Sequence, residues 1–160
     1  MRFGSRSRES TPLEGVDVVL ADLDGVVYAG AGALPHAIES LLAAGASRAL
    51  GYITNNAART DASVAAHLNE LGLSVAPDEV VTSPQAGVRL LASLVEPGST
   101  ILVVGGEGLV VELEKAGFVV TRSADDAPAA VIQGFAPEVN WKQLAEAAFA
   151  LKLPIEEGGI

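Results

Sequence analysis

The chain has 160 residues, 49% of them hydrophobic and 19% charged, a composition that can build a core and excludes general disorder. Twenty acidic residues against ten basic leave a net charge of -10, so no basic stripe offers itself to a nucleic-acid backbone. With no cysteine the chain can form neither a disulfide nor a thiolate metal site, and an oxygen-bound hard cation becomes the default metal.

The segment Met1 to Pro12 sets Arg2, Arg6 and Arg8 among serines without the apolar stretch of a secretory signal, and reads as a disordered tail. Gly, Asp, Arg or Pro interrupts every apolar run before it reaches the ~18 residues of a membrane span. A cytoplasmic protein with no membrane partner is therefore expected. Val16 to Leu20 is β-branched and apolar apart from Asp17, and leads into Ala21-Asp22-Leu23-Asp24-Gly25, as a buried parallel strand ending in a polar loop would. Pro35 to Ala44 predicts a helix stopped by Gly45, Ala49 to Ile53 a second strand, and Thr60 or Asp61 the cap of a helix closed by Gly72.

Val80 to Thr82 predicts a third strand, and Pro84 opens an amphipathic helix that Pro97-Gly98 ends. A strand over Ile101 to Val104, a helix over Gly106 to Ala116, strands over Phe118 to Thr121 and Ala130 to Gln133, and a helix over Asn140 to Leu151 follow. Strands alternating with helices imply an α/β fold with mostly parallel sheets.

Ligands in open α/β sheets bind beyond the carboxyl ends of the strands, where the first two strands deliver Asp22, Asp24 and Thr54. Two carboxylates one residue apart can divide phosphoryl transfer between them, one attacking and one moving the proton. The proton donor needs a pKa above the ordinary ~3.9, which a like-charged neighbour supplies, and Asp24 beside an ionised Asp22 meets that condition. A carboxylate nearing a phosphate meets roughly 4 kcal/mol of repulsion per charge pair at about 4 Å and an effective dielectric of ~20. A divalent cation relieves it, and magnesium suits carboxylate and phosphate oxygens. Gly25 permits a sharp backbone turn presenting N–H groups to phosphate, while Thr54 offers a hydroxyl and Asn55 an amide.

The run Asp22-Leu23-Asp24-Gly25-Val26-Val27-Tyr28 resembles the first motif of haloacid dehalogenase phosphatases, and Ile53-Thr54-Asn55-Asn56-Ala57-Ala58-Arg59-Thr60 resembles their second. The Thr-Asn-Asn form is similar to the subgroup holding the pyridoxal phosphate, phosphoglycolate, glycerol 3-phosphate and nitrophenyl phosphate phosphatases. Val80-Val81-Thr82-Ser83 and Ala130-Val131-Ile132-Gln133-Gly134 bring it nearest to the bacterial glycerol 3-phosphate phosphatase-like members.

That resemblance implies a Rossmann-like core, of which residues 13–98 form the first half, followed over 99–160 by part of an inserted type II α/β cap that screens the site. It implies Asp22 as the nucleophile forming an aspartyl-phosphate, Asp24 as general acid and base, and Thr54 as a phosphate ligand. Asp22 and the backbone carbonyl of Asp24 would hold Mg2+, and the substrate would be a small phosphorylated metabolite.

The family continues into a second core half with a lysine and a further acidic motif. Lys115, Lys142 and Lys152 fall in cap-like sequence and Asp125-Asp126 precedes a strand, so neither role is carried onto them, and the chain is expected to stop within the cap. The first strand would then lie at an open edge, predicting poor stability or dimerisation of the isolated chain. The competing reading is a catalytically incompetent phosphate- or metal-binding or interaction fragment. Gly105-Gly106-Glu107-Gly108 reads as a plain strand-to-helix turn, since Val111 stands where a dinucleotide fingerprint needs its third glycine. Arg59 suits phosphate contact and a surface position equally; His36 and His67 read as solvated, and Trp141 as a packing residue.

Overall fold

The computed structural model describes residues 12–156, with side chains to residue 152. Apart from Pro12, which opens a turn, the expected disordered tail lies outside the described residues. In chain order the elements are β1 (Val18–Asp22), a hairpin of β2 (Tyr28–Ala29) and β3 (Gly32–Ala33), α1 (Ala37–Gly45), β4 (Ala49–Thr54) and α2 (Asp61–Glu70). They continue through β5 (Val80–Thr82), α3 (Ser83–Leu91), β6 (Thr100–Val104), α4 (Glu107–Lys115), β7 (Val119–Thr121), β8 (Ala130–Gln133) and α5 (Trp141–Glu156). The α/β class read from the alternation holds.

Local chemistry explains most boundaries. The Thr60 side chain accepts from the backbone N–H of Ser63 and caps α2. Thr82 and Gln85 form a reciprocal capping box at α3, whose first turn carries Pro84. Four boundaries depart from the sequence reading by two residues or more, among them the start of α1, at Ala37 rather than Pro35. β1 starts at Val18 rather than Val16. α3 stops at Leu91, well before Pro97, because the chain tightens there and the Ser93 hydroxyl takes the Leu90 carbonyl at 2.7 Å. α5 runs past Leu151 to Glu156.

Two three-stranded parallel sheets form, with orders β1-β4-β5 and β7-β6-β8. In the first, Tyr52 and Thr54 of β4 and Val80 and Thr82 of β5 turn to a covered face, where Val64, Ala65 and Leu68 of α2 pack against Leu23, Tyr52 and Val80. Val18 and Leu20 of β1, Ile53 of β4 and Val81 of β5 lie on the alternate positions, line the opposite face and are exposed, Leu20 by 64%. Among the described residues β1 is an edge strand, as the resemblance implied. In the second sheet β6 is central and Ile101 to Val104 are all buried. Ile101 and Val103 meet α4 through Leu109 and Leu113, and Leu102 and Val104 meet α5 through Ala147 and Ala150. α3 straddles the sheets: it follows β5 directly, yet its Val88 and Leu91 join the cluster around Ile101 and Val103.

Among the described residues no helix is long and apolar enough to cross a membrane.

Candidate active site

Parallel pairing brings the ends of β1, β4 and β5 level, with Asp22 opposite Ile53 and Thr54 opposite Thr82. The polar residues that end these strands therefore gather at one rim. A cleft of about 420 Å3 opens there, lined by Asp22, Thr54, Asn55, Thr82 and Ser83 with the apolar Ile53, Val81 and Ala86. Thr54 is buried, and its hydroxyl oxygen accepts the Asn56 N–H at 3.1 Å, which leaves the hydroxyl proton free to donate. Asn56 accepts the Ala58 N–H at 2.9 Å through its side chain and so turns the chain toward α2. Asn55 is exposed, and its carbonyl accepts a 3.0 Å hydrogen bond from the Ser83 hydroxyl.

Of the five residues singled out in the sequence, Asp22, Thr54 and Asn55 meet in this cleft. Asp24 and Gly25 stand outside its lining, on the loop that leaves β1. Asp24 is held by a bridge to Tyr28, and the Gly25 N–H donates to the Tyr28 carbonyl at 2.8 Å. Gly25 has φ +81° with open space where a Cβ would be, so the backbone conformation rather than crowding calls for glycine.

Asp22 and Asp24 are exposed, and among the described residues neither forms an ion pair with Lys, Arg or His. Nor do the described residues gather three His, Cys, Asp or Glu side chains that could hold a metal unaided. Two unpaired carboxylates and neighbouring backbone oxygens nevertheless fit a hard cation that uses one or two carboxylates and takes its remaining ligands from water and phosphate.

Tyr28 lies buried behind this loop. Burial foremost, then the Asp24 carboxylate, push its hydroxyl above the ordinary phenol value, with Arg59 acting against them and Asp22 with them. It is a neutral phenol at pH 7. Its ring meets His67 edge to face at 4.8 Å. His67 is therefore not the solvated residue read from sequence: its side chain is 13% exposed and its Nε2 has no hydrogen-bond partner. His36 is solvated as read. Trp141 is 82% exposed, and the packing role expected of it finds no partner among the described residues, because it projects outward from the first turn of α5.

Ser83 was missed by the sequence reading. The rule that drew attention to Asp22 and Thr54, polar residues just past a strand end, applies equally to the residue after Val80-Val81-Thr82.

A family model for haloacid dehalogenase-like hydrolases matches residues 19–119. The D-glycerol 3-phosphate phosphatase of Mycobacterium tuberculosis is 43% identical over 136 residues, covering 85% of this chain and 38% of that protein. The glycerol-3-phosphate phosphatase of Gallus gallus is 40% identical over 109 residues, covering 66% of this chain and 34% of its own. A crystal structure of the mycobacterial glycerol phosphate phosphatase in complex with magnesium superimposes with a TM-score of 0.79 at 41% identity, over 85% of this chain and 41% of that one. The chain thus spans less than half the length of these relatives.

Proposed function

Because this chain belongs to the haloacid dehalogenase-like hydrolases, we propose that it carries the nucleophilic part of a magnesium-dependent phosphatase acting on small phosphomonoesters. The observation that carries the proposal is the cleft in which Asp22, Thr54 and Asn55 converge at the carboxyl rim of the first sheet. Asp22 is the nucleophile: a carboxylate oxygen bonds to phosphorus while the ester oxygen leaves. Asp24 gives that leaving oxygen its proton, then takes one from the water that attacks the aspartyl-phosphate, so that phosphate departs and both carboxyls return to their starting state.

Thr54 holds a phosphate oxygen through its free hydroxyl proton, and Asn55 adds its amide. The N–H groups of Gly25, Val26 and Val27 are taken by the Tyr28 and Leu23 carbonyls, so the phosphate role read for Gly25 is confined to the sharp turn it allows after Asp24. Ser83 keeps Asn55 in place by tying its carbonyl to the end of β5. Asp22 and the backbone carbonyl of Asp24 are the groups that would hold Mg2+, whose part is to neutralise charge between carboxylate and phosphate.

Residues 13–98 are read as the first half of a core and 99–160 as part of a cap above it; the division of the strands into two sheets supports this. The names of the relatives support a polyol phosphate such as glycerol 3-phosphate as substrate. The test is magnesium-dependent release of phosphate from p-nitrophenyl phosphate and glycerol 3-phosphate by the full-length protein. Turnover abolished in Asp22→Asn upholds the proposal, and turnover indifferent to Asp22→Asn sinks it.

A further inference from the structure

Where the two sheets meet, a chain of hydrogen bonds runs from the rim of the cleft to α4. Thr82, which ends β5, donates its N–H to Gln85 Oε1 at 2.9 Å. The other end of that amide, Gln85 Nε2, donates to Asp61 Oδ2 at 3.1 Å. Asp61, in the first turn of α2, also accepts the Ala62 N–H at 2.8 Å and lies 3.3 Å from Lys115 Nζ through each carboxylate oxygen. Lys115 in turn donates to Glu112 Oε1 at 2.7 Å. The Asp61 and Glu112 side chains keep only 15% and 11% exposure, so this ammonium is shared by two largely desolvated carboxylates on different helices.

The other end of α4 is seated on the same segment. A Cβ at Gly108 would fall 2.8 Å from the Arg59 carbonyl oxygen and 3.1 Å from that of Ala57. Only glycine lets the helix come down on the backbone that joins Asn55 to α2. α4 is thus pinned at both ends, by contact at Gly108 and by charge at Lys115, against residues contiguous with the cleft.

We infer that Asp61, Gln85 and Lys115 form a latch that sets how the second sheet is seated over the cleft, which makes them positioning residues for substrate capture. None of the three lines the cleft; they act through Thr82 and through the segment 55–60. In its kinetic readout the inference rests on the phosphatase reading. Hydrogen bonding to Glu112 first, then to Asp61, outweighs burial and raises the Lys115 pKa above its ordinary value, so the ammonium is charged throughout the neutral range.

Two substitutions in the full-length protein open the latch without touching the cleft. Gln85→Glu keeps an oxygen for the Thr82 N–H, since Glu serves a capping box as well as Gln, but sets a further carboxylate against Asp61. Lys115→Met removes the charge and keeps most of the stem, and Lys115→Arg restores the charge. Amide exchange over residues 111–116, whose N–H groups are bonded within and at the end of α4, is expected to accelerate about tenfold in the first two variants. KM for p-nitrophenyl phosphate should rise about threefold to tenfold, with kcat held within about twofold, because fewer molecules are ready to bind. Lys115→Arg should recover most of both effects.

Unchanged exchange at 111–116, exchange accelerated equally at every amide, or a fall in kcat with KM constant would each overturn the latch. Exchange that responds as expected in a protein without phosphatase activity keeps the latch and discards the function. Asp22-dependent turnover with no response in either variant does the reverse.

Discussion

The two sheets share an architecture but are covered differently. In the β7-β6-β8 sheet the central strand is buried on both faces, by α4 and α3 on one side and α5 on the other. In the β1-β4-β5 sheet α1 and α2 cover one face, while Val18, Leu20, Ile53 and Val81 are left open on the other. The residues offered for chemistry lie at the rim of this half-covered sheet. Parallel strands read as continuous apolar runs because both their faces are ordinarily buried, so the first sheet carries an apolar face with no cover among the described residues.

The contrast separates function from stability, and the largest effect should fall on function alone. Asp22→Asn in the full-length protein should lower phosphatase turnover by about 10^4-fold or more while leaving the melting temperature within a few degrees. A comparable loss of turnover from a conservative change in the core of the second sheet, without unfolding, would locate the chemistry elsewhere. The next effect is on packing. Leu113→Ala, at a fully buried position beneath β6, should cost about 2–5 kcal/mol in denaturant unfolding. Leu20→Ala in the 160-residue chain should stay within about 0.5 kcal/mol. If Leu20→Ala proves as costly as Leu113→Ala in a longer form of the protein, the open face is covered there.

That open face should also make the 160-residue chain self-associate. Sedimentation velocity is expected to show dimers or larger species, reduced when Leu20→Lys places a charge on the face. A monodisperse, high-melting monomer would refute this. The smallest effect concerns pH. Because pairing raises the Lys115 pKa above its ordinary 10.5, the stability it contributes is fully present below that value and is lost as pH climbs through the higher folded value. The difference in unfolding free energy between the parent protein and Lys115→Met should be flat from about pH 7 to 9 and vanish in stronger alkali, discounted by the half-exposure of the lysine.

Much of this was legible in the sequence for a local reason. Apolar runs followed by Asp22-Leu23-Asp24-Gly25 and Thr54-Asn55-Asn56 announce parallel strands with a polar rim, although β1, expected to be buried, leaves Val18 and Leu20 exposed, and Thr60 announces its cap through a hydrogen bond three residues away. The hairpin of β2 and β3 escaped notice because two-residue strands within Tyr28-Ala29-Gly30-Ala31-Gly32-Ala33 carry no alternation. Gly105-Gly106-Glu107-Gly108 was correctly read as a turn, but the need for glycine at Gly108 arises from the Arg59 carbonyl, nearly fifty residues earlier in the chain.

What the sequence by itself determined is the α/β class, the order of the strands and helices apart from the β2–β3 hairpin, and the placement of Asp22, Asp24, Gly25, Thr54 and Asn55 at or just past strand ends, since periodicity and turn chemistry act over a few residues. The tertiary structure decided what depends on docking. It brought Asp22 and Thr54 into one cleft with Ser83, buried His67 against Tyr28, and sent α3 across to the second sheet. It also joined Asp61 to Lys115 across 54 positions. No local pattern encodes such a meeting, because it follows from which faces of separate helices find one another once their sheets have formed.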